Sequence, residues 1–232
     1  MSGTAIFDMD RTLTQRGTWS RFMFRANRNR PFFYLRLPVM AAHAMIYKMG
    51  LCSRKSVKEH GLRTLNWASR EHLERIATEF AEDEVASGLR QHTKSVLEAH
   101  RSAGDKLIMA TAAADLVAIP IAKKLGFDLI ISTELDWTAA DRLSGRLKTE
   151  NCYGQEKLER LLTADQDQRF SRPITGYSDH VTDEPFLSWA DQGIAVNPSR
   201  GLKRISPQAG FTIQDWDQEA PPHITTRETQ PS

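Results

Sequence analysis

The sequence contains little cysteine: Cys52 and Cys152 are the only two in 232 residues, and they lie far apart. This excludes a disulfide framework and a CxxC metal site. The chain begins without the basic and apolar pattern of a secretory signal, and its most apolar stretch, residues 31–51, is interrupted by charged residues and a proline. We therefore expect an intracellular, cytoplasmic protein.

Acidic residues are absent from the segment Arg11 to Lys58, although the whole chain has 31 basic and 29 acidic residues. The basic residues of this segment are Arg11, Arg16, Arg21, Arg25, Arg28, Arg30, Arg36, Lys48, Arg54, Lys55 and Lys58. Such a concentration of one charge predicts an anionic partner, namely a phosphate ester, a nucleic acid or an acidic lipid surface.

Composition and periodicity favour an α/β protein. With 40% hydrophobic and 26% charged residues, the chain cannot be wholly disordered, collagenous or a coiled coil. Strand and helix patterns alternate after residue 100, which is typical of a Rossmann-like parallel sheet with helices on both faces. The predicted strands are 4–8, 106–110, 128–133, 173–179, 193–197 and 211–216; a hairpin is predicted over 135–148, and helices over 116–127, 155–162 and 183–190.

A long helical stretch separates the first two predicted strands. It exceeds the length of a simple crossover, and Ser69 is the predicted N-cap of a pattern that breaks near residues 82–84. We therefore predict a core domain of residues 1–17 and 101–217, with a helical cap domain, residues 18–100, inserted into it. Residues 218–232 are rich in Pro and Thr and are predicted to form a flexible tail.

The candidate chemistry of the chain lies just beyond its strands, where ligands bind in open α/β sheets. Asp8 and Asp10 follow the first strand, Thr111 follows the second, and Asp179 ends a later one. A close pair of carboxylates suits a Mg²⁺ ion bound through oxygen, or a nucleophile beside a general acid and base.

A structural interpretation remains open for each residue considered alone. Asp8 and Asp10 could form an acidic turn, and Thr111 could begin a helix. Asp183 could be favoured at a helix N-terminus by the helix dipole, and Lys157 could be a solvated helix residue.

The residues taken together resemble the haloacid dehalogenase superfamily of phosphohydrolases. Its pattern is DxDxT, a Ser or Thr after the next core strand, a Lys and an acidic DxxxD pair. The corresponding residues here are Asp8, Asp10 and Thr12, then Thr111, Lys157, and Asp179 with Asp183. The match spans residues 4 to about 200, and NPSRGL after the fifth strand is similar to subfamily IB, the phosphoserine phosphatase branch. Arg11 stands where many members have Gly.

This resemblance implies the superfamily fold with its inserted cap, and hydrolysis through an aspartyl phosphate on Asp8. Asp10 would protonate the leaving group and then activate water. A Mg²⁺ ion would be held by the Asp8 carboxylate, the Asp10 main-chain carbonyl and Asp179, with Asp183 orienting these ligands.

The remaining motif residues would bind the substrate. Thr111 and Lys157 would contact the transferring phosphoryl group, and Lys157 would also offset the charge of Asp8. Thr12 would support the loop at the same substrate-binding site.

Two interpretations of the apolar segment 31–51 remain open. It could be a helix buried within the cap. It could instead lie on an anionic membrane surface, because Arg21, Arg25, Arg28 and Arg30 and several aromatic residues lie beside it. The second arrangement loosely resembles the bacterial phosphatidylglycerophosphate phosphatases of the superfamily, and it would put the protein at the inner face of a membrane.

Three functions follow as hypotheses. The first is a Mg²⁺-dependent phosphatase of an anionic phosphomonoester, with a lipid phosphate such as phosphatidylglycerophosphate as its sharpest form. The second is a soluble phosphatase of a small metabolite. The third, a non-catalytic membrane- or nucleic-acid-binding module, is disfavoured because the set of site residues is complete, and we expect no nucleic-acid partner. A phosphoserine phosphatase is expected to carry an acid soon after DxDxT that meets the substrate ammonium. No acid occurs from Arg11 to Lys58, which argues against phosphoserine and other cationic phosphoesters unless aromatic residues or later acids replace that carboxylate.

Overall fold

A six-stranded parallel sheet organises the computed structural model, which describes residues 2–218. Its strands are β1 (Thr4–Phe7), β2 (Lys106–Ala114), β3 (Leu129–Thr133), β6 (Ile174–Ser178), β7 (Gln192–Val196) and β8 (Thr212–Gln214), and β4 (Leu135–Trp137) and β5 (Leu143–Leu147) form a separate antiparallel hairpin. The helices are α1 (Thr18–Ala26), α2 (Pro31–Lys48), α3 (Arg54–Leu62), α4 (Arg70–Asp83), α5 (Thr93–Ser102), α6 (Asp115–Lys124), α7 (Gln155–Gln166), α8 (Glu184–Trp189) and α9 (Arg200–Ala209). The predicted α/β fold class is confirmed, and each predicted strand is present.

The strand order β3-β2-β1-β6-β7-β8 makes β1 a central strand. All four residues of β1 are buried, as expected for a strand that is covered on both faces. Phe7 pairs in register with Met109 of β2 and Tyr177 of β6. Because the strands are parallel, the residues that follow β1, β2 and β6 meet at one edge of the sheet.

Helices α1 to α4, which lie between β1 and β2 in the chain, form a layer over that edge, and α4 also packs against α6. Ser69 caps α4 as predicted, by accepting a hydrogen bond from the main-chain N–H of His72. Phe22 of α1 packs edge-to-face against Phe80 of α4, with 5.8 Å between the ring centroids. The last helix, α5, packs instead against β2. The predicted domain boundaries stay a prediction, and all but Gln218 of the predicted tail lies outside the described residues.

Helix α2 is the least covered helix of this layer. Phe33 is its one buried residue, whereas Phe32 is 78% and Leu35 is 72% exposed. The interpretation of residues 31–51 as a buried helix is therefore wrong, because little of the chain packs over α2. Within residues 2–218, no helix is both long and apolar enough to cross a membrane.

Acids from later in the chain neutralise part of the basic segment. Arg21 forms an ion pair with buried Glu84, and Arg25 forms ion pairs with Asp83 and Glu79. Lys55 pairs with Glu150, and the guanidinium of Arg30 lies 3.8 Å from the ring centroid of Trp67. Arg28, Arg36 and Lys48 are exposed. The net positive charge around the basic segment is therefore smaller than its sequence predicts.

Candidate active site

A cavity of about 510 Å³ opens at the carboxyl ends of β1, β2 and β6, beneath α1, α2 and α3. Six of the seven predicted site residues line it: Asp8, Asp10, Thr111, Lys157, Asp179 and Asp183. The seventh, Thr12, is fully buried behind the cavity wall. The topology therefore gathers into one site residues that are up to 175 positions apart in the chain.

Thr12 holds the two acidic strand ends together. Its hydroxyl oxygen lies 3.3 Å from Oδ2 of Asp8 and 3.5 Å from Oδ1 of Asp179, and it accepts a hydrogen bond of 3.0 Å from the Asp179 main-chain N–H. The main-chain carbonyl of Asp179 also accepts a hydrogen bond of 2.7 Å from the N–H of Ser199, within NPSRGL. The Asp8 and Asp179 carboxylates are thus fixed within reach of one hydroxyl group.

Lys157 lies between two of the carboxylates. Its Nζ donates to Oδ1 of Asp8 at 2.9 Å and to Oδ2 of Asp183 at 2.6 Å. The Ser178 hydroxyl also donates to Oδ2 of Asp183 at 2.6 Å. Lys157 is buried, so the interpretation of a solvated helix lysine is wrong. Its ammonium group partly offsets the negative charge of the site.

Asp10 is oriented by the start of α1. Its Oδ1 accepts hydrogen bonds from the main-chain N–H and the hydroxyl of Thr18, at 2.8 and 2.7 Å. Thr111, at the cavity wall, accepts a hydrogen bond of 3.1 Å from the N–H of Ala113 through its hydroxyl. Thr111 lies within β2 and does not begin a helix.

Arg11 takes a conformation that is uncommon for a residue with a side chain. Its φ is +66°, in the left-handed region that glycine adopts at little cost. The carbonyl of Arg11 accepts hydrogen bonds from Nε and Nη2 of Arg90, at 2.8 and 2.6 Å, and these hold the turn. The departure from Gly noted in the sequence therefore falls on a backbone position that suits Gly.

Burial of the carboxylates dominates the electrostatics of the site. Burial raises the pKa of Asp8 to about 7, although the charge of Lys157 opposes this shift. Burial and the charge of Asp183 raise the pKa of Asp179 to about 6. Burial also raises the pKa of Asp10, against the hydrogen bonds from Thr18. A site with such pKa values favours a bound cation or a proton.

The oxygen atoms present fit a hard divalent cation. Asp8 and Asp179 supply two carboxylates that share Thr12, and Oδ1 of Asp183 is buried without a hydrogen-bond partner in the described part of the chain. Among residues 2–218, no three His, Cys, Asp or Glu side chains form a ready metal cluster. The predicted Mg²⁺ ligands would not form such a cluster, because only two of them, Asp8 and Asp179, are side chains and the third is the main-chain carbonyl of Asp10.

Sequence reasoning missed most of the residues that line the upper part of the cavity. They are largely apolar and come from α1, α2 and α3: Trp19, Met23, Phe24, Phe33, Leu37, Met40, Ala44 and Val57. Lys58, His43 and His60 line the same part. In the sequence, Lys58 was only the last cation of the basic segment, and no motif pointed to its place in the cavity.

Comparison with known proteins shows the family of this chain. A sequence model of the haloacid dehalogenase-like hydrolases matches residues 5–188. Protein CicA from Caulobacter vibrioides is 32% identical over 80% of this chain and 82% of its own length. A phosphoserine phosphatase from Mycobacterium tuberculosis is 26% identical over 93% of this chain and 71% of its own length.

Solved structures share the architecture. A Bordetella pertussis protein of unknown function has a TM-score of 0.82 and 26% identity, covering 93% of this chain and 99% of its own. A substrate-bound phosphoserine phosphatase has a TM-score of 0.64 and covers 94% of this chain and 95% of its own. Its identity is 17%, so that likeness concerns the fold alone.

Proposed function

The chain belongs to the haloacid dehalogenase-like hydrolase family, as a phosphatase of that family, and we propose that it hydrolyses phosphomonoesters through an aspartyl phosphate on Asp8 with the help of Mg²⁺. The observation that carries this proposal is the position of Lys157 between Asp8 and Asp183. An ammonium group there favours the ionised form of Asp8, which attacks, and meets the charge of the incoming phosphoryl group.

The first step is attack of an Asp8 carboxylate oxygen on phosphorus, which breaks the bond to the leaving oxygen. Lys157 and the hydroxyl of Thr111 bind the non-bridging oxygens of the phosphoryl group. Thr12 keeps Asp8 and Asp179 in place, and we assign it a positioning role rather than direct substrate contact, because it does not line the cavity.

Asp10 transfers the protons. Its raised pKa suits an acid that protonates the leaving alkoxide, and the bonds from Thr18 hold the carboxyl in one orientation. The same carboxylate then takes a proton from the water that hydrolyses the aspartyl phosphate. Asp8, Asp179 and the Asp10 main-chain carbonyl would hold Mg²⁺, which neutralises phosphate charge when bound.

Asp8→Asn tests this assignment, because it removes the attacking oxygen at nearly constant volume. We expect phosphate release from p-nitrophenyl phosphate to fall by at least about a thousandfold while the circular dichroism spectrum is kept. Asp115→Asn is the matched control: Asp115 is also partly buried with a raised pKa, but it lies outside the cavity. Equal activity of Asp8→Asn and Asp115→Asn would refute the assignment of Asp8 as the nucleophile.

For the substrate, we propose an anionic phosphoester, in its sharpest form a lipid phosphate such as phosphatidylglycerophosphate. Helix α2 supports this form, because Phe33, Leu37 and Met40 line the cavity while other apolar side chains of α2 are exposed. Those exposed by more than half are Phe32, Leu35, Val39 and Met45. An apolar body could thus pass from a membrane surface to the cavity along one helix.

The charges beside α2 also suit an anionic surface. Arg36 and Lys48 lie on the helix and Arg28 lies just before it, and all three are exposed. Arg21 and Arg25, which the sequence had suggested for this role, are engaged in ion pairs. We therefore propose that Arg28, Arg36 and Lys48 contact the anionic headgroups.

Vesicle sedimentation distinguishes the proposed lipid phosphatase, which binds an anionic membrane surface, from a soluble phosphatase of a small metabolite. Arg36→Gln with Lys48→Gln should weaken binding to anionic vesicles about thirtyfold, at about 1 kcal/mol for each charge, and added salt should weaken binding further. Lys203→Gln with Arg204→Gln, exposed on α9, makes the same change in net charge and should have little effect. If the wild-type protein binds no vesicles, or neutral and anionic ones equally, the soluble small-metabolite phosphatase is favoured.

A further inference from the structure

The two ends of the cavity differ in charge. Within the described residues, its carboxylates come from the segments that follow β1 and β6, whereas α1, α2 and α3 contribute none. The leaving group of a phosphoester attacked by Asp8 would occupy the part beneath these helices. A cationic leaving group would therefore find no carboxylate there.

Among the side chains that the structure describes on these helices, Lys58 is the Lys or Arg that lines the cavity. The other titratable groups there are His43 and His60, whose rings lie 4.9 Å apart. Burial and the neighbouring charges lower the pKa of His60, so this ring is mainly neutral near pH 7. From the core side, Arg11 also lines the cavity, and it adds positive charge.

The ammonium group of Lys58 is held at a defined place between helix and sheet. Its Nζ donates to the main-chain carbonyl of Ala112 and, at 2.8 Å, to Oδ1 of Asn151. Ala112 directly follows Thr111, and the charges of Lys58 and Arg11 both lower the pKa of Asp10. Lys58 thus lies beside the groups that would bind the phosphoryl group and protonate the leaving oxygen.

We propose that Lys58 is a specificity-determining residue that selects phosphomonoesters with a second anionic group near the ester oxygen and rejects those with an ammonium group. This inference rests on the proposed function of the same cavity. A second anion gains a charge-assisted interaction with Lys58 in a partly buried site, where charges are weakly screened. An ammonium group is repelled by Lys58, so phosphoethanolamine, which has an ammonium group and no second anionic group, is a poor substrate.

Three two-carbon phosphates of different charge test this proposal: phosphoglycolate, 2-hydroxyethyl phosphate and phosphoethanolamine. Each is measured as a competitor of p-nitrophenyl phosphate, so that slowly hydrolysed compounds still yield an inhibition constant. Phosphoglycolate should bind most tightly and phosphoethanolamine most weakly. Each step should be on the order of tenfold to a hundredfold, the range for one interaction with a charged group.

Lys58→Met should remove this order, whereas Lys58→Arg should keep it. The matched control is Lys55→Met, because Lys55 also joins α3 to the core, through Glu150, but does not line the cavity. If Lys58 acted only by holding α3 in place, Lys58→Met and Lys55→Met would weaken all three competitors alike.

Equal inhibition by the three compounds, no inhibition by any of them, or an unchanged order in Lys58→Met would each overturn the proposal. Each of these outcomes requires that the wild-type protein hydrolyses p-nitrophenyl phosphate, so the proposed phosphatase function would stand. If the wild-type protein did not hydrolyse p-nitrophenyl phosphate at all, the proposed function would be refuted, and this inference with it.

Discussion

Replacing Arg21 with glutamine should destabilise the protein much more than the same replacement at Arg28. Nη1 of Arg21 lies 2.8 Å from Oε1 and 2.6 Å from Oε2 of Glu84. The Glu84 side chain is fully buried, and in the described part of the chain its Oε2 makes no hydrogen bond beyond this ion pair. Arg28 is exposed.

The magnitude follows from the burial of each partner. Removing one member of a buried ion pair costs about 3 to 5 kcal/mol, because the remaining charge is left unpaired. The side chain of Arg21 is 38% exposed, so water can partly replace it. Glutamine can also donate one hydrogen bond. We therefore expect the free energy of unfolding to fall by about 2 to 3 kcal/mol, or the Tm by about 4 to 12 °C.

Urea unfolding followed by tryptophan fluorescence measures this difference. Arg28→Gln should change the free energy of unfolding by less than about 0.5 kcal/mol. Adding Glu84→Gln to Arg21→Gln should recover part of the loss, because the unpaired buried charge is removed. Equal stability of the Arg21 and Arg28 variants would refute the reasoning, because it would show that the ion pair between Arg21 and Glu84 adds no more to stability than an exposed cation does.

Further predictions concern the site and the thiols. Asp10→Asn should slow hydrolysis of alkyl phosphates at least about tenfold more than that of p-nitrophenyl phosphate, whose leaving group needs little protonation; equal losses in the two assays would contradict a general acid. EDTA should stop phosphate release, and Asp179→Ala should raise the Mg²⁺ concentration for half-activity; full activity in EDTA would count against the metal ligands. Burial raises the pKa of Cys152 to about 11, so iodoacetamide at pH 8 should label the partly exposed Cys52 and spare Cys152 in the native protein, and equal labelling of both would contradict this.

The elements of the fold could be predicted from the sequence because their signals are local. The run Thr4–Phe7 is apolar after Thr4, which suits a strand buried on both faces, and Ser69 precedes an amphipathic helix. Placing Asp8, Thr111 and Asp179 at one edge then needed only the rule that parallel strands end on the same side. The sequence alone thus indicated the fold class and a shared location for these residues.

The limits of prediction appear at residues whose partners lie far away in the chain. Thr12 contacts Asp179, and no periodic pattern relates positions so distant. Lys157 contacts Asp8, and only the family resemblance, not any local pattern, pointed to that pairing. In the sequence, nothing distinguishes Arg21 from the other cations of its segment. Only the tertiary structure shows that it pairs with buried Glu84, which directly follows α4.

Helix α2 and Lys58 show the same division between sequence and tertiary structure. Hydrophobicity established that residues 31–51 are apolar, but coverage of a helix depends on what packs over it, and little does. The side chain of Lys58 reaches the cavity because α3 lies across the sheet edge, where Ala112 and Asn151 meet it. Composition and local pattern determine which elements form, whereas burial and pairing are properties of elements in contact, and only the tertiary structure decided them.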